Sequence, residues 1–503
     1  MRLPLTGGSY TARSIIASAQ RCVNYYPEIN PRGSLVPITH YQRPGLVPLL
    51  TVGNGPIRGI YAASNQDAYI ASGHEIYRMP FGTLTPTKLG DISNAQQGQV
   101  SMIDNGGSGT VMIVDGSPNG WLSDLGTNNF KQINDPTGFF TGADRVDYTD
   151  TFIIWNQPNT VFFNSTQSNT IEPFNPLYTA GKTGYPDNLV TLYVVRHEVL
   201  LLGTWKSEIW YDAGLYPMPF AELPGTYIEH GIAAKYSVAQ QDINLYWLAQ
   251  NLQGEGMVLR FRGYLTDRIS NHAVEHAIQE MKKTVGIDDA IGFCYQMDGH
   301  VWYVLTFPKG DQTWVYDAAI EDPMAAWHQE AWTDINGYLH RVRSNCHGII
   351  NGGNAFGDWE NGTIYTPDID TYTDTVNGVV TPLTCVRSFP HIGTARLAGQ
   401  GHAGTADGRR VQFAAFRADL ECGLGPVGID GRPAEISLRW SDDRGRTFGN
   451  DVLQSTGFPG EYLTQPQWLG MGIARDRIFE LSHSIAGPAA LNGAWVDAEV
   501  LGT

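Results

Sequence analysis

Short runs rich in Val, Ile, Tyr, Phe and Trp recur along the chain, separated by Gly, Pro, Asn and Asp, and this spacing predicts strands joined by tight turns. Helical periodicity is scarce. The clearest unit is IRGIYAAS, AYIASG and IYRM, punctuated by Asn65-Gln66-Asp67 and His74-Glu75, which reads as a meander of hairpins. Comparable units follow: VSMIDN with TVMIVDG, then RVDYTD with TFIIWN and TVFFNS, and further pairs to complete a run from Pro56 to Asp368. Each unit is too small to cover its own apolar face. Repetition over roughly 300 residues therefore predicts radial packing, a β-propeller of six or seven blades, with a long sandwich or solenoid as the alternative.

From Thr381 onward the pattern changes. RVQFAAFRADLECG, AEISLRWSDDRGRTFGND, RIFELSHSI and GAWVDAEVL alternate apolar and polar positions, as half-buried antiparallel strands do. The expected organisation is all-β: an arm over residues 1–50 that packs on other domains or subunits, a propeller over 51–380, and a C-terminal β-sandwich-like platform or tip over 381–503. One helix is expected over Ser270–Lys283, with Ala273, Ala277 and Ile278 on one face and Ser270 or Asn271 as cap.

Composition narrows the function. Charged residues are 17% of the 503, below the usual ~25%, while aromatic residues reach 11%, which suits a protein that buries surface against partners. A net charge of -17 argues against any surface that grips phosphates. The five cysteines, Cys22, Cys294, Cys346, Cys385 and Cys422, are scattered and form no C-x-x-C pair, so neither a disulfide framework nor a thiolate metal site is expected. No export signal or membrane anchor is expected, because Ile15–Ala19 is too short for a secretory core and Arg196, His197 and Glu198 break the longest apolar tract.

Four motifs invite chemistry. His272-x-x-Glu275-His276 has the spacing of a zinc-binding helix, but a third ligand is not evident, and solvated histidines are the plainer reading. Ser441-x-Asp443-x-Gly445-x-Thr447-Phe448 fits the Asp-box pattern, in which the carboxylate accepts backbone N–H groups across a tight turn, Gly445 takes positive φ and Phe448 returns to the core. Asp368, Asp370 and Asp374 could offer oxygen ligands to calcium but lack the turn glycine and closing glutamate of a calcium loop. Gly53, Gly55 and Gly59 miss the dinucleotide-loop spacing and read as a turn into the first blade. No catalytic, metal or cofactor site is expected; the Asp box is expected to be structural.

A series of segments in fixed order adds a resemblance. Cys22-Val-Asn24-Tyr-Tyr-Pro27-Glu28, Arg43-Pro44-Gly45-Leu46, Ile57-Arg58-Gly59-Ile60, Ile113-Val114-Asp115-Gly116, Glu229-His230-Gly231-Ile232 and His300-Val301-Trp302-Tyr303 resemble segments of the podovirus tail hub proteins, the packaged-DNA stabilisation proteins or tail nozzles. The strand at the Asp box and the turn Gly470–Arg475 look more like widespread phage head–tail sequences. The resemblance implies a non-enzymatic virion protein, assembled in the host cytoplasm. It implies a ring homo-oligomer, a hexamer, that docks on a head–tail adaptor and carries needle, spike or fibre proteins while genomic DNA passes without tight binding. The alternative is a carbohydrate-binding or sialidase-like propeller; a zinc hydrolase built on the helix is a minor third.

Overall fold

The computed structural model describes residues 2–3, 8–93, 98–397, 408–428 and 430–501. Among these residues seven antiparallel blades follow one another, each of four strands except the fifth, which has five. The first runs outward from Ile57–Ala62 through Ala68–Ser72 and Glu75–Met79 to Thr87–Asp91. Its turns follow from local chemistry. Asn65 Oδ1 accepts from Asp67 N at 3.1 Å, and Gln66 and Gly73 sit at φ 68° and 57°, the left-handed region tight hairpins require.

The next blades start from inner strands Ser101–Asn105, Val146–Thr149 and Leu189–Val195. In the fifth the inner edge is split, with Gly231–Ile232 and Ala239–Gln241 both pairing with Asn244–Gln250. Ile291–Met297 and Ser344–Ile350 begin the sixth and seventh. An apolar cluster fills each gap between neighbours; Tyr69, Ile76 and Val100 with Val111 join blades one and two, and Phe293 and Tyr295 with Phe356 and Tyr365 join six and seven. Ile57, Ile60 and Ile70 against Cys346, Ala355 and Ile364 close seven onto one. The six- or seven-bladed expectation thus resolves to seven.

The seventh blade takes its outer strand from the start of the chain. Gly45–Thr51 pairs antiparallel with Thr363–Asp368, Thr51 opposite Thr363 and Gly45 opposite Asp368. A boundary at residues 50 and 51 therefore falls inside a propeller strand. The physical reason is ring closure: a strand from one end of the chain, hydrogen-bonded into the blade at the other, removes the free edge.

The rest of the N-terminal segment ties the propeller to a second layer. Cys22–Val23 lies between the outer strand of blade six, Trp327–Glu330, and Cys385–Ser388, so one sheet continues through Asp476–His483 and Glu435–Ser441 to Val452–Ser455. The facing sheet contains Val411–Leu420 and Leu491–Val500, and the hairpin Tyr25–Ile29 with Ile38–Gln42 extends it. Between them lies the platform core, including Phe413, Phe416, Trp468, Phe479 and Leu481.

The helix runs His272–Thr284. Asn271 is its cap, with Oδ1 accepting from Ala273 N and Val274 N at 3.1 and 3.0 Å, and Ala273, Val274, Ile278 and Met281 are buried. Among the described residues no helix is long and apolar enough to cross a membrane.

Candidate functional site

The inner strands of all seven blades line a central channel of about 370 Å³. Its charges are internally matched. Lys235 Nζ lies 2.6 Å from Asp144 Oδ1, and the Arg145 guanidinium stacks 4.2 Å over the Tyr193 ring. Asp147 accepts from Val194 N and Tyr148 N, both at 2.9 Å; burial raises its pKa while Arg145 works against that rise. Cys294 and Cys346 also border the channel, but burial holds the Cys294 thiol well above its usual pKa and pushes that of Cys346 up to about 12. Both are thiols at neutral pH and lack the thiolate character of a nucleophile.

The residues of the HxxEH motif do not converge. Glu275 is held by the Arg268 guanidinium through both oxygens, and Ser270 Oγ donates to Oε1 at 2.7 Å. His272 is exposed, with Nδ1 3.9 Å from Glu275 Oε2, and His276 lies on a different cleft beside Trp314 and His340. Glu275 thus closes the first turn of the helix, as an acid there favours the N-terminal dipole.

The three aspartates of residues 368–374 are likewise committed apart. Asp374 is buried against Arg43, whose Nη1 lies 3.1 Å from Oδ1, and it also accepts from Leu46 N at 3.1 Å. Asp368 accepts from Asp370 N and Thr371 Oγ1 at the turn that follows its strand. Among the described residues, no group of three or more His, Cys, Asp or Glu side chains is arranged to hold a metal.

The Asp box sits on the platform, in the turn after Glu435–Ser441, and contributes nothing to the propeller channel. Asp443 Oδ1 accepts from Arg446 N at 3.0 Å and Thr447 N at 2.9 Å, and Oδ2 accepts from Thr447 Oγ1 at 2.6 Å. Ser441 Oγ donates to Asp443 Oδ1 at 2.7 Å and accepts from Gly445 N at 2.8 Å. These donors, Thr447 foremost, hold the Asp443 carboxyl well below the usual range. Gly445 has φ 90°, and Phe448 is half-buried under the Arg439 guanidinium, 5.1 Å away, at the surface of the platform and not in its core.

Charge is segregated between the two layers, a feature that composition of the whole chain conceals. Residues 52–380 carry 36 Asp and Glu against 17 Lys and Arg, a net -19. Residues 1–51 and 381–503, whose described residues build the platform together with the closing strand, carry 14 Asp and Glu against 16 Arg and no Lys, a net +2. The absence of lysine from both terminal segments was the signal available in the sequence. Arginine alone on this layer is suited to bidentate contacts with carboxylates or phosphates.

A family model described as Phage_stabilise, bacteriophage P22 Gp10, beta-propeller, matches residues 1–372. No curated protein matches the sequence. Among solved structures, the chain is similar to one in the mitotic checkpoint complex, at 10% identity and a TM-score of 0.43, covering 68% of this chain and 96% of that one. It is similar to BamB from Moraxella catarrhalis, at 10% identity and a TM-score of 0.37, covering 68% and 93%. The extracellular domain of a putative one component system from B. thetaiotaomicron gives 9% identity and a TM-score of 0.41, covering 82% and 47%. With the family match reaching from the N-terminal strap through the last strand of the seventh blade, the chain belongs to the bacteriophage P22 Gp10 β-propeller family.

Proposed function

We propose that this bacteriophage structural protein is a tail hub or nozzle: a ring of identical subunits, six in number, that carries the DNA channel outward from the portal and adaptor and offers a platform to needle, spike or fibre proteins. The family match over residues 1–372 carries the reading. It is a virion component without catalytic chemistry in this proposal, and its work lies in ring closure and in its two end surfaces.

The geometry supports a particular form of that conduit. A channel of about 370 Å³ inside the propeller cannot admit a duplex whose major groove alone is about 12 Å wide. In this reading the lumen lies between subunits. A propeller of net -19 turned toward it would repel phosphates and let the genome slide, whereas a basic wall would trap counterion-releasing contacts.

Electron microscopy of the purified protein, alone and mixed with portal and adaptor, tests this. Rings with a central opening wide enough for duplex DNA are expected; a strict monomer at all concentrations, or a ring closed at its axis, would overturn the proposal. Duplex DNA should not be retarded in a gel at physiological salt.

A further inference from the structure

The turn that holds the Asp box uses up its acids and presents its bases. The Asp442 carboxylate is gripped by Arg477 at 2.6 and 2.8 Å, and that of Asp443 by the donors of the turn itself. Arg444 and Arg446, which follow them, are exposed. Arg444 has only a long contact, 3.6 Å, to an Asp476 carboxylate already bound by His391.

The N-terminal loop brings a third guanidinium to the same place. Arg13, Ser14, Ile15, Ile16, Arg444 and Arg446 line one open cleft of about 580 Å³. Close approach of the two loops depends on Gly445: a Cβ there would lie 2.8 Å from Ile15 Cγ2 and 3.4 Å from Ala19 Cβ, in a backbone conformation already unfavourable to side chains. The cleft is therefore a built junction of two segments more than 400 residues apart in sequence.

We infer that this arginine cleft is the seat of a second copy of the chain, docked through the acidic surface of its propeller. The inference rests on the ring reading above and names the contact that closes the ring. Charge complementarity chooses the occupant, because the chain's own propeller segment, net -19 over residues 52–380, is the acidic counterpart of a layer whose Lys and Arg complement is all arginine. Ile15 and Ile16, 39% and 46% exposed in the same cleft, point to protein and not nucleic acid. Arginine around an apolar centre is the pattern of a protein interface, while surfaces that bind DNA are more polar and more uniformly basic. A contact between platform and neighbouring propeller is head-to-tail, and contacts of that kind generate rings when their rotation closes.

The test compares wild type with Arg444→Glu/Arg446→Glu and with the milder Arg446→Gln, by light scattering and electron microscopy at about 0.1 M and about 0.5 M salt, between which screening of exposed charges rises steeply. Thermal unfolding serves as the folding control, since all substituted side chains are exposed. Expected is a wild-type ring that loosens in high salt, a charge-reversed variant that is monomeric at concentrations where wild type is assembled, and an Arg446→Gln variant that needs several-fold more protein to assemble. Intact rings in the folded double variant would overturn this inference while leaving the hub reading standing. Wild type that never assembles would overturn both. Retardation of duplex DNA by wild type at low salt, lost in the double variant while rings persist, would reassign the cleft to phosphate.

Discussion

His391 Nε2 donates to the main-chain carbonyl of Ile15 at 2.9 Å, fastening the N-terminal loop to the platform from 376 residues away. The other ring nitrogen, Nδ1, lies 2.9 Å from an Asp476 carboxylate oxygen. Both partners are acceptors. The ring satisfies them together only when it carries both protons, as an imidazolium.

That geometry gives a pH dependence with a definite sign. Burial lowers the His391 pKa and the nearby Arg444 also lowers it, but the hydrogen bonds the ring donates to Asp476 and the Ile15 carbonyl, with the Asp476 charge, outweigh them and the net shift is upward. A raised histidine pKa contributes stability that is complete below the unfolded value near 6.5 and is lost as pH rises through the folded value. Amide exchange in residues 12–18 should therefore quicken from pH 6 to pH 8.5 beyond the intrinsic base-catalysed rise. His391→Gln should abolish that excess.

Glu330 is shifted upward from the usual carboxylate range. Burial at the end of the outer strand of blade six pushes its pKa up to about 7, although Arg43 pulls it down. The folded protein thus favours the neutral acid, and the associated stability, full below about pH 4.5, is lost by pH 7 to 8. Glu330→Gln should leave stability at pH 5 nearly unchanged and raise it by about 3 kcal/mol at pH 8, read by chemical denaturation.

Arg43 is a buried strut. Its guanidinium reaches Asp374, the Asn24 amide oxygen at 3.0 Å, and the carbonyls of Pro44 and Ala331, so it joins the strap, blade six and the segment after blade seven. Arg43→Ala leaves Asp374 buried and unpaired, and about 3–5 kcal/mol of stability should be lost. Adding Asp374→Leu should recover a large part of that loss in the same denaturation assay.

In the Asp box, Asp443→Ala removes the acceptor for two backbone donors and two hydroxyls, those of Ser441 and Thr447, at an exposed turn. A fall in Tm of roughly 1–4 °C is expected from differential scanning calorimetry. Asp443→Asn, which keeps one acceptor oxygen, should fall between.

The propeller was legible in the chain because its instructions are local. Asn65-Gln66-Asp67 and Ser72-Gly73 specify their hairpins without reference to the rest of the molecule, and the cap at Asn271 marks its helix in the same way. The terminal segments were harder to read for the opposite reason. Cys22–Val23 is a two-residue strand whose partners, Gln329 and Val386, lie hundreds of positions downstream, and Leu50 pairs with Ile364. No short-range pattern encodes such pairings. The Asp-box donors were foreseeable from motif chemistry, but the placement of Phe448 under Arg439 depends on a neighbouring strand. The arginine cleft also depends on a loop that contacts the turn only in the folded chain.

The late partner of Gly45–Thr51 also sets a timetable for biosynthesis. This strand leaves the ribosome early, and its mate Thr363–Asp368 follows roughly 300 residues later, about 15–60 s at bacterial elongation rates of about 5–20 residues per second. For that interval the nascent chain holds an unpaired edge and an open ring of incomplete blades. Nascent chains released before residue 368 should then bind chaperones or aggregate, and the same chains extended through it should become protease-resistant in one step.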